Sequence, residues 1–238
     1  MELNLPKPIL YLITRGATSE TTTPASEEFR DILLQVSTAV AAGIQLIQIR
    51  EKNLTARVLF ELTARVVAIA RGSATRILVN DRADVAAGAR AHGVHLTTRS
   101  LTPALIRNAF GRSFMIGAST HSLDEAREAR KEGANFAVFG PIFPTPSKGK
   151  YGPPVGTERL EVAARELAPF PLFALGGISS GNAIECLHAG ASGIAGISLF
   201  GDHDNSQSLA ATIAAINALS KPDLTGVKDF EKRLTVLN

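Results

Sequence analysis

From Ile9 to Leu219, short apolar runs alternate with stretches patterned as amphipathic helices, and this alternation constrains the fold more than any other feature of the chain. The runs are Ile9–Ile13, Ile44–Ile49, Ile77–Val79, Gly93–Leu96, Phe114–Gly117, Asn135–Phe139, Pro171–Leu175 and Gly193–Ile197. They are apolar at successive positions rather than every second one, the pattern of strands covered on both faces, as a parallel sheet requires. Between them, apolar residues recur at helical spacing: Phe29, Ile32, Leu33, Val36, Ala39 and Val40 in one stretch, Val58, Leu59, Leu62, Val66 and Ile69 in the next. Thr55, Thr102 with Pro103, and Ser122 with Glu125 three residues on are helix-start signals, and Gly43 is a stop. Eight strand–helix units in 238 residues predict one α/β domain, a closed (β/α)8 TIM barrel with its core at about 9–219. A doubly wound open sheet is the alternative, and the strand count argues against it. Residues 221–238 lie beyond the repeat as a C-terminal extension, with a short helix expected around 227–234.

A barrel of this class works at the C-terminal ends of its strands, so the question is which polar groups collect there. The chain holds 25 basic against 22 acidic residues, a net charge of +3, and the basic ones are scattered. That leaves no stripe for nucleic acid and suits small anionic ligands. Cys186 is the sole cysteine, so an intrachain disulfide is excluded and a reducing, cytoplasmic setting is expected. Its apolar neighbours Ile184 and Leu187 favour a buried, inert thiol. No apolar run reaches membrane-spanning length, and the N-terminus lacks the layout of a signal peptide. The expected partners are small phosphorylated molecules, with no nucleic acid and no membrane; a homodimer is compatible with this composition.

The second strand ends in Gln48-Ile49-Arg50-Glu51-Lys52. Alternation turns Gln48, Arg50 and Lys52 to one side, and an amide with two cations suits a polyanion such as pyrophosphate. The competing reading pairs Arg50 with an acid inside the barrel and leaves Lys52 solvated. Asn80-Asp81 ends the third strand: Asp81 suits Mg²⁺ and Asn80 a phosphate, unless one of them only caps the next helix. In the fourth strand His95 alternates with apolar residues, as packed histidines do more often than catalysts. Ser119 and His121 follow the fifth strand; Ser119 suits a phosphate, and His121 either exchanges protons or serves the helix start. After the sixth strand, Gly140 and three prolines force an irregular loop carrying Thr145, Ser147 and Lys148, two hydroxyls and an ammonium able to grip phosphate. Gly176-Gly177-Ile178 and Gly196-Ile197-Ser198 end the last two strands, where bare glycines admit a phosphate to the backbone or merely make tight turns. The hydroxyl-rich stretch from Thr14 to Ser26 is expected to be a mobile lid.

Five of these segments, in this order, resemble thiamine phosphate synthases: Gln48–Lys52, Val79–Arg82, Gly117–His121, Gly140–Lys148 and Gly176–Ile178. The resemblance runs from about Ile9 to Phe200. It implies a transferase of thiamine biosynthesis that joins hydroxymethylpyrimidine pyrophosphate to a thiazole phosphate by a dissociative route. It further implies that Gln48, Arg50, Lys52, Asn80, Ser119 and Lys148 hold the pyrimidine pyrophosphate and that Asp81 holds Mg²⁺. Thr145, Ser147, Gly177, Ile197 and Ser198 are implied to hold the thiazole phosphate. Arg50, Lys52, Ser119 and Lys148 then form the catalytic group. The chain departs from the family pattern after the fourth strand, where Ser100 stands near the place of a second acidic metal ligand and Arg99 adds a cation. The departure keeps two alternatives in view: a thiazole tautomerase using His121, and a non-catalytic barrel that binds a thiamine precursor.

Overall fold

The computed structural model describes residues 5–145, 153–201 and 206–219. The expected C-terminal helix, with Ser147 and Lys148, lies outside them. The strands are β1 (Ile9–Ile13), β2 (Leu46–Ile49), β3 (Arg76–Asn80), β4 (Gly93–Leu96), β5 (Met115–Thr120), β6 (Phe136–Phe139), β7 (Leu172–Ala174) and β8 (Gly193–Gly196). The helices between and after them are α1 (Glu27–Ala41), α2 (Ala56–Ala70), α3 (Ala83–Gly88), α4 (Pro103–Phe110), α5 (Leu123–Lys131), α6 (Gly156–Leu167), α7 (Ala183–His188), α8 (Ser198–Gly201) and α9 (Ser206–Leu219). All strand pairs are parallel, in chain order, and β8 closes on β1 with Ile9 beside Gly193 and Tyr11 beside Ala195. The (β/α)8 expectation therefore holds. No helix among the described residues is long and apolar enough to cross a membrane.

Helix starts follow the local chemistry of their caps. Thr55 Oγ1 accepts from Val58 N, Thr102 Oγ1 from Leu105 N, and Ser122 Oγ from Glu125 N. The capping box at α5 is shifted by one residue, because Glu125 Oε2 accepts from the backbone N–H of His121 at 2.6 Å. One difference from the sequence reading matters for function. β5 continues to Thr120 instead of stopping at Gly117, because Ser119 and Thr120 pair with Val138 and Phe139 of β6.

Alternation along each strand sorts the core into two layers. Leu10, Leu12, Ile47, Ile49, Ile77 and Val79 face outward and pack with Phe29, Ile32 and Val36 of α1 and Leu59, Leu62 and Val66 of α2. Ile9, Tyr11, Leu46, Leu78, Met115, Phe136 and Phe173 fill the barrel. Its middle is aromatic: the Phe136 and Phe173 rings stack at 4.7 Å, and Tyr11 meets Phe136 edge-on at 5.6 Å. His95 completes this layer, buried and 5.7 Å from the Tyr11 ring. Burial in that apolar surround pushes its pKa down to about 4, so the imidazole is neutral near pH 7.

At the opposite end of the barrel one side chain ties three segments together. Arg107 of α4 donates to the carbonyls of Gly111, Arg112, Phe114 and Gly133 and to Asn135 Oδ1, which in turn accepts from Ile116 N. Replacing Arg107 by alanine removes this shared donor from all five acceptors, with an expected loss of about 3 kcal/mol in urea unfolding. Turnover below the transition should be retained, since the mouth lies at the other end. His95 gives a pH prediction. Its folded pKa, about 4, lies below the ordinary 6.5, so the unfolded chain takes up the proton first as pH falls. Stability from this group is complete above pH 6.5, declines toward pH 4, and amounts to about 3 kcal/mol in all. Unfolding curves at pH 7 and pH 4 should show that share of acid loss removed in His95→Gln.

Candidate active site

The inward positions near the C-terminal strand ends are polar where those below are apolar. Gln48 of β2 is buried and donates through Nε2 to Asn80 Oδ1 of β3 at 3.1 Å. Asn80 Nδ2 passes the chain on to Asp81 Oδ2 at 2.8 Å. Asp81 stands just past β3 with φ +60°, a left-handed conformation that aspartate tolerates better than most residues. Its other oxygen, Oδ1, accepts from the hydroxyls of Ser100 and Thr97 in the turn after β4. Neither Asn80 nor Asp81 caps α3, whose preceding residue is Arg82 with no side-chain cap. The capping alternative therefore falls, and both side chains belong to the mouth.

Lys52 lies within electrostatic reach of Asp81, Arg50 and Arg99. Burial first, then the Arg50 charge and, more weakly, that of Arg99 pull the Lys52 ammonium below its ordinary pKa, while Asp81 opposes them. Among the described residues no carboxylate pairs with Arg50, so the internal ion pair weighed from sequence does not form. Glu51, between the two cations in sequence, points the other way. It is buried and accepts from Gly16 N, Thr18 N and Thr18 Oγ1, the last at 2.8 Å. Asn53 Nδ2 adds a bond to Thr18 O, and Thr14 Oγ1 accepts from Arg50 N. Thr14, Gly16 and Thr18, the first part of the stretch expected to be a mobile lid, are thus fastened to the end of β2, while Ser19, Thr21, Thr22, Thr23 and Ser26 bond among themselves. Glu51 is a site residue that sequence reasoning passed over; its signal was a carboxylate out of phase with Arg50 and Lys52.

Beside this cluster, on β5, Ser119 Oγ lies 3.0 Å from His95 Nε2 and keeps a face toward the mouth. Across the mouth is a small pocket of about 80 Å³ lined by Thr145, the Leu175–Ile178 turn and Ala195–Leu199. Gly176 and Gly177 have φ of +100° and +65°, and a Cβ on Gly177 would stand 2.6 Å from Pro144 O. The loop after β6 therefore lies directly on the glycine pair, held by Ile142 N to Leu175 O and Phe143 N to Gly176 O. Asn182 braces the turn from behind, donating to Gly177 O and accepting from Ser179 N. Thr145, Gly177, Ile197 and Ser198 are so brought into one pocket.

His121 stands apart from both clusters. Its backbone N–H and its Nδ1 both meet Glu125 Oε2, and its ring lines a different groove of about 450 Å³ with Phe139, Glu158 and Val162. Among the described residues no three His, Cys, Asp or Glu side chains gather as a metal cage. Cys186 is buried, and burial pushes its thiol up to about 12, as an inert cysteine requires.

Known proteins align with this arrangement over most of the chain. A protein from Geobacter sulfurreducens named putative thiamine-phosphate synthase is 42% identical over 188 residues, covering 79% of this chain and 88% of that protein. The thiamine-phosphate synthase of Chlorobium luteolum is 39% identical over 209 residues, 88% of this chain and 92% of its own. Among solved structures, thiamine phosphate pyrophosphorylase from Pyrococcus furiosus superposes with a TM-score of 0.75 at 30% identity, covering 89% of this chain and 96% of that one. The family model described as thiamine monophosphate synthase matches residues 10–200, from β1 through the glycine turns to α8, and the chain belongs to that family.

Proposed function

We propose that the chain is a transferase that makes thiamine phosphate from hydroxymethylpyrimidine pyrophosphate and thiazole phosphate, releasing pyrophosphate. The observation that carries this reading is one barrel mouth with a cationic cluster at Arg50, Lys52 and Arg99 beside Asp81, and a glycine-lined pocket across from it. The names of the relatives point the same way. Gln48, Asn80 and Ser119 take the pyrimidine end, with Lys148 as a further cation from the loop after β6. Thr145, Ser147, Gly177, Ile197 and Ser198 take the thiazole phosphate, the glycine through its backbone.

The chemistry suits these groups. The bond from the pyrimidine methylene carbon to the pyrophosphate oxygen breaks, and its electron pair leaves with pyrophosphate. The thiazole nitrogen then gives its lone pair to the resulting methylene cation. Arg50, Lys52, Lys148 and Arg99 stabilise the departing charge, an electrostatic task that needs no protein nucleophile. Below them the packed aromatic layer excludes water from the cation. The donor set fits Mg²⁺: one carboxylate, Asp81, flanked by the hydroxyls of Ser100 and Thr97, with pyrophosphate oxygens left to complete the shell. When bound there, Mg²⁺ neutralises further charge on the leaving group. Ser100 stands as a hydrogen-bond donor to Asp81 where the family pattern has a second acid, so Mg²⁺ affinity without pyrophosphate is expected to be weak.

Incubation with both substrates and Mg²⁺, followed by chromatography, tests the reading: thiamine phosphate and pyrophosphate should appear in equal amounts. Isomerisation of the thiazole alone would instead support a tautomerase, and tight binding with neither product a carrier. Arg50→Ala should lower kcat by about 10²–10³-fold while leaving the melting temperature nearly unchanged. Gly177→Val places a branched side chain against Pro144 O at a positive φ. It should raise KM for thiazole phosphate at least about tenfold, and far more than KM for the pyrimidine substrate.

A further inference from the structure

The barrel interior holds two buried polar atoms with no partner among the described residues, Tyr11 Oη and His95 Nδ1. The second bears on Ser119. The His95 ring is fixed on every side. Tyr11 and Phe136 pack against it at centroid distances of 5.7 and 6.0 Å, and its Nδ1 edge lies over Gly117, where a Cβ would come within 2.6 Å. Its Nε2 lies 3.0 Å from Ser119 Oγ. A neutral imidazole carries one proton, on one nitrogen or the other. On Nδ1 it would be a buried N–H with nothing to receive it, among the rarest features of folded proteins. It would also leave Nε2 as an acceptor, consuming the only proton of the Ser119 hydroxyl. The serine oxygen would then face a phosphate lone pair to lone pair.

We infer that His95 is a positioning residue for the reaction: it keeps its proton on Nε2, donates to Ser119 Oγ, and so turns the Ser119 hydroxyl proton toward bound substrate. The inference rests on the reading above that Ser119 contacts the substrate. Two consequences follow from the geometry. The serine is a fixed donor before substrate arrives, so no reorientation accompanies bond breaking. A hydroxyl that accepts while it donates is also the more strongly polarised donor. Gly117 enters the same arrangement, since only a residue without a side chain leaves room for the ring edge.

Tautomer and kinetics test it separately. In wild-type chain labelled with ¹⁵N-histidine, long-range ¹H–¹⁵N spectra at pH 7.5 should show His95 with the proton on Nε2, its signals identified by their loss in His95→Gln. A proton on Nδ1 overturns the inference without recourse to any variant that alters the core. In turnover assays, His95→Gln presents an amide N–H near the place of Nε2 and should stay within about fivefold of wild type. His95→Asn, which reaches only the Nδ1 position, and His95→Phe should lower kcat about a hundredfold with KM for thiazole phosphate within about twofold. In a Ser119→Ala background, His95→Phe should cause no further loss, because its effect passes through the missing hydroxyl. The inference fails if Ser119→Ala is slow while His95→Phe keeps wild-type kcat, or if His95→Gln is as slow as His95→Asn. A fully active Ser119→Ala overturns the parent assignment of Ser119 and the kinetic claim with it, an outcome distinct from either.

Discussion

The closure of β8 onto β1 is the interaction on which the rest of the molecule depends. Parallel strands in chain order share one direction, so once the ladder closes, every C-terminal end lies on the same rim. The closing pair needs a glycine: a Cβ on Gly193 would come within 2.2 Å of Ile9 O. Closure leaves no strand edge to cover and fixes which residues face inward by alternation alone. Gln48, Asn80, His95 and Ser119, each on a different strand, become neighbours for no reason except this ring.

The ring's interior is graded along its axis. Aromatic and aliphatic side chains pack its lower and middle parts, interrupted by the Tyr11 hydroxyl and the His95 ring, and the remaining inward polar groups, Gln48, Asn80 and Ser119, stand in the upper layer with hydrogen-bond partners. In that setting hydrogen bonds gain strength from the apolar floor, while an unpartnered polar group is costly. Glu51 shows how charge is divided at the rim. A carboxylate between two cations in sequence would ordinarily neutralise them, yet its oxygens are taken by Gly16 and Thr18. The same bonds that fix the β1–α1 wall leave Arg50 and Lys52 available to an anionic ligand.

Much of this was legible beforehand. The eight units, their order and the caps at Thr55, Thr102 and Ser122 are local matters of periodicity and side-chain to backbone bonding, which a sequence displays directly. So were the polar ends of β2 and β3 and the glycine turns after β7 and β8. The rest was non-local. Nothing local to Gly16 and Thr18 announces that the buried Glu51 binds them. β5 looked shorter because its apolar run breaks at Gly117, and the ladder with β6 carries the strand on through Ser119 and Thr120. That His121 lines a separate groove with Phe139 and Glu158 likewise could not be read from its place after a strand.

By itself the sequence determined the repeat, and hence the barrel, because strand and helix periods are properties of neighbouring residues. It also determined which chemical groups would reach the rim, since alternation assigns each side chain a face. Only the tertiary structure decided which of those groups meet: that Asp81 is engaged by Ser100 and Thr97, that Lys52 shares its surroundings with Arg50 and Arg99, and that His95 touches Ser119. Those meetings depend on strand register around a closed ring, a relation among distant segments that no single segment encodes.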